Sequence, residues 1–216
     1  MFLTAVAVFA QQETKPQTQV RVNYLNVCAP SAEEQAVLSF GLDKVAAKPV
    51  FADDFEMSRG RTTVKETGVS KFVRLRREFV SASPLLTVQY SMSADEKSIV
   101  ELLVLRMRDP KELHEVSFED SVSAGAASPV ALLASDTPPV RIRVERLGKP
   151  SVVLTRCEGG DQAVYEPIFK QAADIMARYR AAMALRTAFR SDITWLVTGD
   201  KPAAAPHPPG KSRKRP

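Results

Sequence analysis

The sequence predicts an α+β fold: an antiparallel sheet of five to seven strands arranged as a meander, with an N-terminal helix and a long C-terminal helix packed on one face. Three observations predict it. Short apolar or alternating segments fill the middle of the chain, separated by turns too brief to hold crossover helices. A segment with a helix-capping signal precedes them, and a longer apolar stripe at helical spacing follows.

The first strand is read in residues 20–27, ending at Cys28. Next, Ser31 is placed to cap a helix and Glu34 to close a capping box, while Ala36, Val37, Phe40 and Val45 continue at helical spacing. This predicts a helix over 32–46, stopped by Lys48-Pro49. Residues 53–70 are polar, contain Gly60 and Gly68, and read as an irregular connection or a ragged strand. Strands follow at 72–76 and 86–92, joined through Ser81-Ala82-Ser83-Pro84, then at 98–107 and in a short piece, Val116-Ser117-Phe118. Residues 140–145 and 151–156 form a hairpin across Leu147-Gly148-Lys149-Pro150. The Ala, Ser and Pro of 120–139 predict a loop, or a short helix around 129–134.

Ile168, Ala172, Ile175, Met176, Tyr179 and Met183 make one apolar stripe and predict a helix over 166–188. Lys170, Arg178 and Arg180 are read as lying away from its centre, and Trp195-Leu196 as folding back on the domain. Beyond Asp200 proline and alanine dominate, and a disordered basic tail is expected over 200–216. The domain itself is expected over 20–199.

Residues 2–10 are apolar and uncharged and end in Val8-Phe9-Ala10, which suits signal peptidase; a cationic segment ahead of them is missing. The expectation is a signal peptide over 1–10, a polar segment over 11–19, and a periplasmic or extracellular product without a transmembrane segment. Cys28 and Cys157 each close an apolar strand and precede a helix. In an oxidising compartment they are expected to form one disulfide, with a pair of small buried thiols as the alternative. A bridge would make the first and last strands neighbours.

The pI near 9.3 invites a nucleic-acid reading until the charge is located. Five of the 30 Lys and Arg residues lie beyond Asp200, with no acid among them, leaving 25 basic against 25 acidic residues in the rest of the chain. A neutral body argues against duplex binding through phosphates, so nucleic acid is an unlikely partner except through the tail.

Catalytic signals are thin. His114 is the sole body imidazole and reads as a surface-loop residue, with no nucleophile elbow nearby. No cofactor or metal motif is present: Asp53, Asp54 and Glu56 lack the spacing of a calcium loop, and Gly159-Gly160-Asp161 lacks the P-loop lysine. One pattern has geometry. Period-2 alternation puts Arg74 and Arg76, Arg106 and Arg108, and Arg141 and Arg143 on the non-core face of three strands. Arginine suits carboxylate or phosphate, so these six are the candidate binding residues for an anionic ligand. The plainer account pairs them with Glu78, Glu101 and Glu145 across strands. The expected function is therefore a non-enzymatic exported protein that binds or scaffolds an anionic envelope polymer, a lipid surface or a protein partner. A hydrolase whose carboxylates converge only in the fold, and a nucleic-acid binder acting through its tail, are the alternatives.

Overall fold

The computed structural model describes residues 26–27, 30–51, 58–67, 70–93, 97–157 and 162–198, with side chains over 30–51, 75–93, 97–157 and 165–198. The expectations for the signal segment, Cys28, Asp53 to Glu56, Gly159-Gly160-Asp161 and the tail lie outside these residues.

Strand β1 (Asn26–Val27) leads into helix α1 (Ala32–Val45). The predicted capping box is present: the Glu34 N–H donates to Ser31 Oγ at 3.3 Å, and the Ser31 N–H donates to the Glu34 carboxylate at 2.8 Å. Two otherwise orphaned donors of the first turn are thereby satisfied. The helix buries Val37, Leu38, Leu42 and Val45.

The main sheet then builds from β3 (Ser58–Thr67), β4 (Ser70–Phe79), β6 (Leu85–Met92), β7 (Ser98–Arg106), β8 (Leu113–Ser123), β9 (Arg141–Arg146) and β10 (Val152–Thr155). Each of these seven pairs antiparallel with its neighbour in the order β3-β4-β6-β7-β8-β9-β10, so the predicted meander is present. As an eighth strand, β1 joins the β10 edge in parallel, with Asn26 opposite Val153 and Val27 opposite Leu154. The first and last strands are therefore neighbours. A separate two-stranded ladder joins β2 (Val50–Phe51) to β5 (Ala82–Ser83).

Three strands exceed their predicted extent, among them β4, which runs over Ser70–Phe79 against the expected 72–76. The polar stretch read as ragged contains β3, ten residues long at the sheet edge, where no apolar face is required. The three-residue strand at Val116 is part of an eleven-residue β8, and His114 sits inside it rather than in a loop. Acidic residues masked β8 because one of them, Asp120, faces the core.

After β8 come a 3-10 turn and α2 (Pro129–Ala134), capped by Ser128, the short helix predicted within 120–139. The C-terminal helix divides. α3 (Gln162–Ala184) stops before the predicted end, and after exposed Leu185 the chain turns into α4 (Thr187–Thr198). Nothing in the alanine-rich composition marks this break. Its cause is tertiary: the turn carries Phe189 onto Phe79 and Tyr90, with ring centroids 5.7 and 6.4 Å apart.

Core side chains alternate along the strands. Leu86, Val88 and Tyr90 of β6, Leu103 and Leu105 of β7, Val116 and Phe118 of β8, and Ile142 and Val144 of β9 meet the apolar sides of α1, α3 and α4. The helices thus cover one face of the sheet. Gly41 permits the closest approach, since a Cβ there would stand 2.7 Å from both methyl carbons of Val144.

Tyr179 lies fully inside this layer, and its hydroxyl has no hydrogen-bond partner among the described residues. Burial pushes its phenol up to about 12, against the opposing pull of Arg178. An unfolded tyrosine titrates near 10. The stability tied to the neutral phenol is therefore complete below about pH 10 and is lost as pH rises through about 12. Between pH 9 and pH 11.5, urea unfolding should show the wild type losing about 2 kcal/mol more than Tyr179→Phe. Equal losses would dissociate Tyr179 from the alkaline limb.

Candidate functional site: the open face of the sheet

Because the helices occupy one side, the outward positions of β4 to β9 form a continuous opposite face. The register arranges them in rows. Arg76, Gln89, Leu102, Glu119 and Arg141 make one row across five strands. Glu78, Thr87, Val104, Ser117 and Arg143 make the next. Uncharged residues thus form the middle of the face, between charged rows on β4 and on β8 and β9. Over β7 to β9 the surface sinks into a depression of about 420 Å³, with Leu102 and Val104 at its floor and Glu115, Glu119, Arg141 and Arg143 on its wall.

Four of the six predicted arginines, Arg76, Arg106, Arg141 and Arg143, lie on this face in ion pairs. Arg106 donates to Glu115 at 2.8 Å, Arg141 to Glu119 at 3.3 Å, and Arg143 to Glu145 at 2.9 Å, while Arg76 pairs with Glu78. Arg108 has left the strand and donates to the Ala82 carbonyl at 2.9 Å and to that of Val80, holding the turn before β6. Arg74 occupies the outward position opposite Ser91; its side chain lies outside the described residues. Glu78 and Glu145 do pair with these arginines, but along their own strands, two residues from Arg76 and Arg143, and not across strands as expected; Glu101 does not take part. Glu115 and Glu119 take part instead, and their alternation with Ser117 is the period-2 signal that could have revealed them.

Glu101 is on the other face, 2% exposed, with Asp120 at 3% and Arg180 at 1%. This corrects the placement of Arg180 off the helical stripe: it is four residues after Met176 and three before Met183, and so shares their side of α3. Its Nε donates to Glu101 at 2.9 Å, Nη2 to Asp120 at 2.8 Å and to Glu101, and Nη1 to the Ser135 carbonyl at 2.7 Å. Glu101 also accepts from the Tyr90 hydroxyl at 2.7 Å, and Asp120 from Thr137 at 3.2 Å and the Ser121 N–H at 2.8 Å. Burial alone would lower the Arg180 pKa, but the two carboxylates outweigh it and raise it above the ordinary value. Burial, then the Glu101 charge, drives the Tyr90 phenol well up. The cluster binds β6, β7, β8, α3 and the chain after α2 into one unit. Its two acids converge, but on an arginine and away from solvent.

His114 lies within β8, and its buried Nδ1 has no hydrogen-bond partner among the described residues. Among those residues no group of three or more His, Cys, Asp and Glu side chains is placed to hold a metal ion, and no helix is long and apolar enough to cross a membrane.

No family model, curated protein or solved structure matches this chain. Its function is therefore argued from the geometry alone.

Proposed function

We propose that this chain is an exported, non-enzymatic binding protein whose open sheet face engages an anionic polymer of the cell envelope at the β3–β4 end. The observation that carries this reading is the charge of that ladder. β3 and β4 together hold seven cationic residues, Arg59, Arg61, Lys65, Lys71, Arg74, Arg76 and Arg77, against Glu66 and Glu78. The body is neutral only because 18 basic and 23 acidic residues make up the remainder before Lys201. Positions 59, 61 and 65 of β3 lie opposite 78, 76 and 72 of β4, so Arg59, Arg61, Lys65, Arg74 and Arg76 share one face with a single acid, Glu78. In the register Arg61 stands directly across from Arg76, and Glu78, which already pairs with Arg76, is the only acid on that face of the two strands. The β7–β9 end, by contrast, is balanced by its own carboxylates.

Export is supported by the apolar leader and by the β1–β10 pairing, which brings the strand before Cys28 beside the strand before Cys157. A Cys28–Cys157 bridge would belong to an oxidising compartment. Intact-mass measurement of the native protein should find it without its first ten residues and protected from thiol alkylation until reduced.

Alginate and polyphosphate test the binding reading. Binding should weaken as salt rises from 50 to 300 mM, because exposed charges are increasingly screened. A chain truncated after Asp200 should still bind. Arg61→Ala/Arg74→Ala/Arg76→Ala should lose at least tenfold in affinity, whereas Arg106→Ala/Arg141→Ala should retain it and lose about 1 kcal/mol of stability per broken pair. Equal losses in the two variants, or binding that depends on the tail alone, would overturn it.

A further inference from the structure

A second concave surface lies away from the open face, where α1 passes over the ends of β8 and β9. One wall is the side of α1 that carries Glu33, Val37 and Phe40; the other is formed by Lys111 and Glu112 before β8 and by the β9–β10 turn from Arg146 to Lys149. The two loops are tied together by the Leu147 N–H, which donates to the Glu112 carbonyl at 3.0 Å. Gly148 in that turn has φ +66, a conformation glycine adopts without strain, and it leaves Leu147 55% exposed beside the groove. The groove is open to solvent and offers about 510 Å³, within the range of small-molecule sites. Gly41, by letting α1 approach Val144 closely, sets the helix wall against the end of β9.

The chemistry of this groove is two-sided. Val37, Phe40 and Leu147 supply an apolar floor. Lys111, Arg146 and Lys149 stand at its rim, and none of the three makes an ion pair among the described residues, unlike Arg106, Arg141 and Arg143. The Nε–H of Arg146 is shielded from solvent and has no acceptor among the described residues; the same holds for Nε of Arg141, but that guanidinium still donates through Nη1 to Glu119, whereas Arg146 has no carboxylate partner among the described residues. A buried donor without an acceptor is unfavourable, and a bound anion would satisfy it. The acids nearby, Glu33 and Glu112, are fewer than the cations.

From these features we infer that the groove binds a soluble amphipathic anion: a carboxylate or phosphate head held by Arg146 with Lys111 and Lys149, and an apolar tail laid along Phe40, Val37 and Leu147. This site is independent of the polyanion surface on the sheet. The head supplies the acceptor that Arg146 lacks, and the tail covers the exposed Leu147. Neither half alone accounts for both features.

The test is a titration of the isotopically labelled full chain, followed through backbone amide shifts. The probes are decanoate, decyl phosphate, decyl maltoside and acetate below micelle-forming concentrations, and anionic phospholipid vesicles. Saturable shifts confined to residues 33–40, 111–112 and 146–149 are expected with decanoate or decyl phosphate. Decyl maltoside should bind at least tenfold more weakly, and acetate should produce no such shifts. Arg146→Met should cost at least tenfold in affinity with unchanged thermal stability. If that variant does not fold, the paired exposed-turn variants Leu147→Ser and Lys149→Met take its place, with the same loss expected of each. The inference is overturned if decyl maltoside binds as well as decanoate, if acetate reproduces the shifts, if only vesicles act, or if the substitutions leave affinity unchanged. Shifts confined to the open sheet face would likewise overturn it while leaving the polyanion reading standing.

Discussion

Replacing Arg180 with methionine is expected to lower the unfolding free energy by about 3–5 kcal/mol. The reason is not that the ion cluster contributes so much net stability. Moving one guanidinium and two carboxylates out of water is itself costly, and their attraction roughly offsets that cost. Removing the cation leaves Glu101 and Asp120 facing each other at 2% and 3% exposure, with only the Tyr90, Thr137 and Ser121 donors remaining. It also strips the Ser135 carbonyl of its donor, which frees the segment after α2. Urea unfolding of Arg180→Met should show the loss, and Arg180→Met/Glu101→Gln/Asp120→Asn should recover at least half of it, because the uncompensated charges are then gone. A single mutant as stable as the wild type would show that the cluster is not closed to water. A triple mutant no better than the single would place the loss in packing instead of charge.

Reduction of the proposed Cys28–Cys157 bridge is expected to lower stability by roughly 4–5 kcal/mol by chain-entropy reasoning, less any strain in the folded state. The geometry supporting the bridge is the parallel register of β1 and β10, which ends one residue before Cys28 and three residues before Cys157. Cys157 is further positioned by α3, whose Tyr165 hydroxyl donates to the Cys157 carbonyl at 3.2 Å. The described part of β1 is two residues at the sheet edge, paired only with β10 among the described strands. Thermal unfolding with and without reductant measures the effect, and Cys28→Ser should reproduce the reduced value without responding to reductant. Identical transitions in both conditions would mean that no bridge forms.

Much of the architecture was legible because local signals were strong. The capping box at Ser31 and Glu34 marked the start of α1, and the alternation in Leu86 to Met92 and Ser98 to Arg106 marked β6 and β7. The elements that were misjudged share one cause. β8, Arg180 and the α3–α4 break each depend on a partner distant in sequence: Asp120 is polar in a core position because Arg180 meets it, and α3 ends where it does because Phe189 finds Phe79. The candidate site was half legible. Alternation placed the arginines on the open face, but not their pairing with Glu115 and Glu119, which register alone decides.

What the amino-acid sequence determined by itself is the α+β class, the helix–meander–helix order, the position of the leader-like segment and the neutrality of the body. These follow from composition, local periodicity and capping, which need no knowledge of contacts. Only the tertiary structure decided how that neutral charge is distributed. Strand order puts the cation-rich 59–77 segment at one end of the sheet, away from β9, register sets carboxylates against Arg106 and Arg141, and the Nε–H of Arg146 is left without an acceptor among the described residues. Coulomb energy depends on distance in space, and distance in space is set by which strands pair.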